Sequence, residues 1–165
     1  MEEVEVELLK LIENNANLEV EKIAKLMGKS IDETRELIDK LEKKKVILGY
    51  STLIDWAKVL NEEEVTAMVD VKVTPARDVG FDKVAERIYR FPEVKAVYLM
   101  SGTYDLSVSV KGKTMMEIGH FISEKLSALD SVLSTTTHFV LKKYKHDGII
   151  LQDADEGDKR IVVSP

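Results

Sequence analysis

Val65-Thr-Ala-Met-Val-Asp-Val-Lys-Val-Thr-Pro75 alternates apolar with mostly polar residues until a proline stops it. A period of two puts Val65, Ala67, Val69, Val71 and Val73 on one buried face of a β-strand. Thr66, Met68, Asp70, Lys72 and Thr74 take the other. Downstream, Phe81, Val84, Ala85, Ile88 and Tyr89 recur at helical spacing, and Pro92 closes that helix. Val94 to Met100 reads as a second strand, Ser101-Gly102-Thr103 as a turn, and Tyr104, Leu106, Val108 and Val110 as a third strand. Met115, Ile118, Ile122, Leu126 and Leu129 predict another helix, and Leu133 to Lys142 a fourth strand. The order β-α-β-β-α-β predicts a ferredoxin-like split βαβ unit, with one antiparallel sheet and both helices on one face. The other face is left open, and we expect it to be apolar and to meet a partner, giving at least a dimer formed through residues 65–142. Ile149-Ile150-Leu151 and Ile161-Val162-Val163 flank an acidic turn and suggest a C-terminal hairpin.

Upstream of residue 45 the period is helical. Val4, Leu8, Leu11 and Ile12 share one face, ahead of the breakers Asn14-Asn15-Ala16-Asn17. Val20, Ile23, Ala24 and Met27 form a second, short helix that stops at Gly28, a residue free to enter the left-handed region. Ser30-Ile-Asp-Glu33 is a capping box for a third helix, with Ile31, Thr34, Leu37, Ile38 and Leu41 facing inward. A supporting helix, then two helices joined by a short turn, is the layout of a helix-turn-helix. Val46-Ile-Leu-Gly-Tyr-Ser-Thr-Leu-Ile54 is β-rich and reads as a wing or a linking strand. Asn61-Glu-Glu-Glu64 reads as a solvated hinge. The domains are therefore 1–45, a link over 46–64, 65–144, and a tail over 145–165.

The 165 residues carry 24 basic and 30 acidic side chains, a net charge of −6, which argues against indiscriminate nucleic-acid binding but leaves room for a local patch. Cysteine is absent, which removes disulfides, thiolate metal sites and cysteine nucleophiles and suits a reducing cytoplasm. The acidic start lacks the order of a signal peptide, and no apolar run approaches the roughly 20 residues of a membrane span. His120, His138 and His146 lack ligand spacing, so no metal site is expected. Asp153-Ala-Asp-Glu-Gly-Asp158 only partly matches a calcium loop, with its glycine early and Ser164 in place of the bidentate glutamate. Met115 and Met116 are read as core. With no phosphate loop, nucleophile elbow or other catalytic constellation, neither a cofactor nor an enzymatic activity is expected.

Several stretches carry a resemblance: Val46-Ile-Leu-Gly-Tyr50, Glu93-Val94-x-x-Val97-Tyr98, Ser101-Gly-Thr-Tyr-Asp-Leu106 and Thr135-Thr136-Thr137. In this order, after a helix-turn-helix and within a βαββαβ domain, they resemble the leucine-responsive/AsnC family of bacterial and archaeal transcription regulators over residues 4–144. The resemblance implies an α+β protein with an N-terminal three-helix, winged helix-turn-helix and a C-terminal ferredoxin-like, ACT-like domain. It also implies a homodimer, often assembled into octamers, that binds double-stranded DNA and senses a small-molecule effector, an amino acid, in the cytoplasm. The family usually carries two adjacent basic residues in mid-helix, where this chain has Glu36-Leu37.

A recognition helix needs donors toward base edges and phosphates. Lys29, Ser30, Thr34, Arg35, Lys40, Lys43 and Lys44 are the candidates here. Residues 1–60 hold 10 basic and 13 acidic side chains, so this domain is itself at −3. For the effector, Gly102 permits a tight turn or a close ligand approach. Asp105 complements an α-ammonium, neighbouring backbone N–H groups take a carboxylate, and Tyr104 packs on a ligand side chain. The bare spacing by itself favours an ordinary hairpin turn. The resemblance favours the ligand reading and adds Thr135 and Thr137. Three classes stay open: a ligand-responsive DNA-binding regulator, a sensor or adaptor whose acidic helix-turn-helix contacts a protein, and an enzyme of ferredoxin-like fold.

Overall fold

The computed structural model describes residues 2–58, 64–74 and 80–151. Two compact units divide at Ile54/Asp55. In the first, α1 (Glu3–Asn14), α2 (Val20–Met27) and α3 (Ile31–Lys43) pack around Leu8, Ile23 and Leu41. Leu11, Ile12, Met27, Leu37, Ile38 and Ile47 close over that centre. Gly28 takes φ +62°, and the Lys29 N–H donates to the Ala24 carbonyl at 2.9 Å, which satisfies the end of α2 as a Schellman turn. The Ser30 hydroxyl accepts from the Glu33 N–H at 3.2 Å while the Glu33 carboxylate accepts from the Ser30 N–H at 2.9 Å, so the capping box forms as read.

A second device anchors α1 on α3. The Glu5 carboxylate is almost wholly buried and lies 2.9 Å from the Lys40 ammonium, and it also accepts the Glu2 N–H at 3.0 Å. Lys40 beside it is the largest cause holding the Glu5 carboxyl below its ordinary range. Two expectations fail in this unit. Ile31 is 41% exposed, because it directly follows the cap and precedes the packed stripe of α3. Residues 46–55 form no strand or wing: Lys45 turns left-handed at φ 54°, and the Val46 and Ile47 N–H groups both return to the Leu41 carbonyl. The chain then runs on with Leu48, Tyr50 and Leu53 exposed, because its β-prone residues meet no strand edge among the described residues.

The second unit is the split βαβ. Strands β1 (Val65–Val73), β2 (Val94–Leu99), β3 (Leu106–Gly112) and β4 (Val132–Phe139) form one antiparallel sheet in the order β2-β3-β1-β4. Helix α4 (Asp82–Tyr89) lies between β1 and β2, and α5 (Met115–Phe121) follows β3. The last turns of α5 widen to i→i+5 bonds over Ile122–Leu126, and Ser127 N–H reaches the Ile122 carbonyl at 2.8 Å. Ala67, Val69, Val71, Leu106, Val108 and Val110 meet Val84 and Ile88 of α4 and Ile118, Phe121, Ile122 and Leu126 of α5. At Gly112 a Cβ would stand 2.9 Å from Ile118 Cγ1, so only glycine allows α5 this close to β3.

Two readings of this unit need correction. Met115 and Met116 are 53% and 73% exposed, since the buried stripe of α5 begins at Ile118, one turn later. The open sheet face is mixed, not apolar: the registers place Thr66, Asp70, Lys72, Ser107, Ser109, Thr136 and His138 on it together with Met68, Ala96 and the exposed Tyr98. On it His138 Nε2 lies 3.1 Å from Asp70 Oδ2. A hairpin not read from the sequence lies just ahead of the expected one: β5 (Lys145–His146) pairs with β6 (Ile149–Ile150) about Asp147-Gly148, both at positive φ, as a two-residue turn requires. Pro75, Asn61–Glu63, the acidic stretch Asp153–Asp158 and Ile161–Val163 lie outside the described residues.

The Glu5–Lys40 pair sets an acid response for the first unit. A carboxyl whose folded pKa lies below its unfolded value, ordinarily about 4.3, adds stability above that value and loses it as pH falls through the folded one. Glu5→Gln is expected to lower the melting temperature at pH 7 and to flatten its decline below about pH 4.3. Helical circular dichroism against temperature at pH 7 and pH 3 measures both, and identical curves for the two proteins contradict this role.

Candidate ligand turn and nucleic-acid surface

The turn between β2 and β3 is built around Asp105. Its N–H donates to the Val71 carbonyl at 3.0 Å, its carbonyl accepts from the Met100 N–H at 2.8 Å, and its Oδ2 accepts from the Val73 N–H at 2.8 Å. The third bond falls where the β1–β4 register slips between Lys72 and Val73, so the carboxylate takes a donor of the irregular strand end. Asp105 is therefore a structural acceptor through Oδ2. This partner is not legible in the turn's own sequence, because Val73 lies 32 residues away.

Gly102 sits in the same turn at φ +145°, a region that L side chains rarely adopt, with open space where a Cβ would stand. Tyr104 is half-buried beside it. Thr135 and Thr137 are not in this turn. They pair with Val71 and Val69 across β1 and share the half-buried, helix-side face of β4, and Thr135 Oγ1 lies 3.4 Å from Ser127 Oγ. Leu106, Val71 and Thr135 stand in one row of the sheet, which sets Thr135 about 10 Å, or two strand spacings, from the start of β3. Within one chain the turn trio is together and the two threonines stand apart from it.

The helix-turn-helix surface sorts its candidates by exposure. Arg35, Lys43 and Lys44 are exposed, Lys29 is half-buried, and Arg35 Nη1 lies 3.9 Å from Asp32. Thr34 has no surface to offer DNA: it is fully buried, and its hydroxyl donates to the Ser30 carbonyl at 2.9 Å. Ser30 spends its hydroxyl on the cap, and Lys40 is engaged with Glu5. The exposed side of α3 also carries Asp32, Glu36 and Asp39. A contact absent from the sequence reading joins this helix to the chain after it: the Tyr50 hydroxyl donates to Glu42 Oε1 at 2.8 Å. Burial, then Glu42, pushes the Tyr50 phenol up to about 12, so it stays a donor throughout the physiological range. Among the described residues no group of three or more histidine, cysteine or carboxylate side chains is placed to hold a metal ion, and no helix is long and apolar enough to cross a membrane.

Compared with known proteins, residues 66–150 match the Lrp/AsnC ligand binding domain. The whole chain is similar to the HTH-type transcriptional regulator YugG of Bacillus subtilis, with 60% identity over 99% of this chain and 98% of that one. It is 27% identical to the HTH-type transcriptional regulator FL11 of Pyrococcus horikoshii over 88% of this chain and 92% of the relative. Among solved structures, a Neisseria meningitidis transcriptional regulator in complex with L-Met superposes with a TM-score of 0.71 at 21% identity, covering 88% of this chain and 93% of that one. Escherichia coli AsnC gives 0.68 at 18% identity, over 88% and 95% of the two chains.

The two roles open to Asp105 separate by substitution. Asp105→Ala leaves the Val73 N–H without its acceptor and is expected to cost about 1–3 kcal/mol. Asp105→Asn keeps a carbonyl oxygen for that N–H and is expected to melt close to wild type. Thermal denaturation of the three proteins measures this, and an alanine variant as stable as wild type contradicts the structural role.

Proposed function

The chain belongs to the Lrp/AsnC family of HTH-type transcriptional regulators, and we propose that it is a cytoplasmic, homodimeric regulator that binds double-stranded DNA through α2–α3 and responds to an amino acid held by its C-terminal domain. One observation carries the DNA half: α3 is capped and packed by residues other than Arg35, Lys29, Lys43 and Lys44, which leaves those four cations on the surface of a helix-turn-helix. Arg35, on the second turn of α3, is the candidate for base-edge or phosphate contact, and the lysines are candidates for phosphates. Support for the amino-acid half comes from the matched ligand-binding domain and from the meningococcal regulator, whose structure contains L-Met. In this reading the other oxygen of Asp105 takes the ammonium and the turn at Gly102 the carboxylate, with Tyr104 against the side chain. Thr135 and Thr137 then line the site only if a second chain completes it, since within one chain they stand across β1.

Asp32, Glu36 and Asp39 on the exposed side of α3 favour a second reading, in which this surface contacts a basic protein instead of DNA. Salt dependence and charge reversal distinguish the two. Phosphate neutralisation makes log K fall linearly with log salt. Arg35→Glu is expected to abolish binding to DNA from upstream of the chain's own gene in a mobility-shift titration. Glu36→Arg is expected to tighten it and to steepen the salt slope by about one. If both variants bind as wild type does, α3 is not the DNA-reading helix and the adaptor reading takes its place.

A further inference from the structure

Beyond the helix-turn-helix, the chain carries one other concentration of cations. Lys142, Lys143, Lys145 and His146 fall within Leu141-Lys-Lys-Tyr-Lys-His146 with no acidic residue among them, in a chain of net charge −6. Every residue from Leu141 to Ile150 is exposed. Among the described residues, Lys142, Lys143 and Lys145 have no carboxylate partner, and Lys142 Nζ lies 5.4 Å from the centre of the Tyr144 ring. The arm is ordered as a ribbon: Lys145 pairs with Ile150, His146 with Ile149, and the Leu151 N–H donates to the Tyr144 carbonyl at 3.0 Å. The Asp147-Gly148 turn holds its two strands in register.

We infer that this arm, in which Lys142 and Lys143 lead into the hairpin that carries Lys145, is a second DNA contact whose three lysines neutralise backbone phosphates of double-stranded DNA outside the helix-turn-helix. The inference rests on the DNA-binding reading above. It follows from a shortage of charge elsewhere. Affinity for DNA is dominated by cations set against phosphates, yet residues 1–60 hold 10 basic and 13 acidic side chains. The carboxylates on the exposed side of α3 oppose Arg35 and Lys43, whereas Lys142, Lys143 and Lys145 lie together with no acid before Asp147 of the turn, which stands 3.8 Å from His146. A two-stranded ribbon is also of a width that a DNA groove admits, and an exposed tyrosine beside lysines is an ordinary companion at such contacts. The contact carries no base information, so it strengthens binding to every sequence alike.

Fluorescence anisotropy with a labelled duplex, repeated from about 50 to 300 mM salt, tests this on the full chain. The triple variant K142Q/K143Q/K145Q is expected to weaken binding at least about tenfold at about 100 mM salt and to lower the log–log salt slope by about three for each arm engaged, equally on specific and unrelated duplexes. K142R/K143R/K145R, which keeps the charge, is expected to bind as wild type does, and melting curves of both variants should match wild type because the arm is exposed. An unchanged affinity and slope in the glutamine variant overturn the inference, as does a loss shared by the arginine variant. If Arg35→Glu abolishes binding while the glutamine variant is unaffected, only the arm is ruled out. If wild type binds no duplex at any salt, the DNA-binding reading falls and the arm falls with it.

Discussion

Strand β1 is hydrogen-bonded on both edges, to β3 on one side and β4 on the other, and the second unit depends on that double pairing. Its valines at 69 and 71 are fully buried beneath both helices. A strand so placed must be met by residues 106–112 and 132–139, so distant segments are brought into one row after another. The rows then position the candidate site. Asp105 hangs from β1 by two bonds, Val71 carbonyl and Val73 N–H, at the point where the register slips. Thr135 and Thr137 sit opposite Val71 and Val69 on the other edge. The β2–β3 turn is therefore tied to the same strand that carries the sheet's core.

How much of this was legible in the sequence follows from the range of the forces involved. Period-two and helical patterns report burial that each segment carries locally, so β1–β4 and α1–α5 were readable, as were the Ser30 cap and the Gly28 stop. What escaped depends on contacts between segments far apart in the chain. Nothing within Gly102–Asp105 announces that its carboxylate will be claimed by Val73. Nothing around Lys40 in the sequence shows that Glu5, 35 residues upstream, engages it. Thr34 fits both an inward-facing position and a donor to DNA by its spacing, and its burial makes it the former. The stretch 46–54 is strand-prone by composition, but propensity alone makes no strand when no edge is offered. Met115 and Met116 show the complementary error, since an apolar pair at a helix start need not lie on its buried stripe.

Carboxylates outnumber cations in the helix-turn-helix unit, with 13 acidic and 10 basic side chains over residues 1–60. The packing of α3 uses carboxylates productively: Glu33 closes the cap, Glu42 holds Tyr50, and Glu5 anchors Lys40. Each of those acids is spent inside its unit. The remaining ones, Asp32, Glu36 and Asp39, stay on the surface beside Arg35 and weaken the field any phosphate would meet. The Tyr50–Glu42 bond also means that the chain leaving α3 is fastened to it for eight residues past Glu42, so a displacement of the link reaches the end of the helix that carries Lys43 and Lys44.

In the proposed regulator, ligand and DNA act on one molecule, and linkage requires their effects on each other to be equal. The direct measurement is a pair of titrations with the wild-type chain: duplex affinity in the presence of each of the twenty amino acids, and amino-acid affinity by calorimetry with and without saturating duplex. At least one amino acid is expected to change the duplex Kd, and the duplex is expected to change the Kd of that amino acid by the same factor. An amino acid that binds the chain but leaves duplex affinity untouched, or a chain that binds no amino acid at all, contradicts the account.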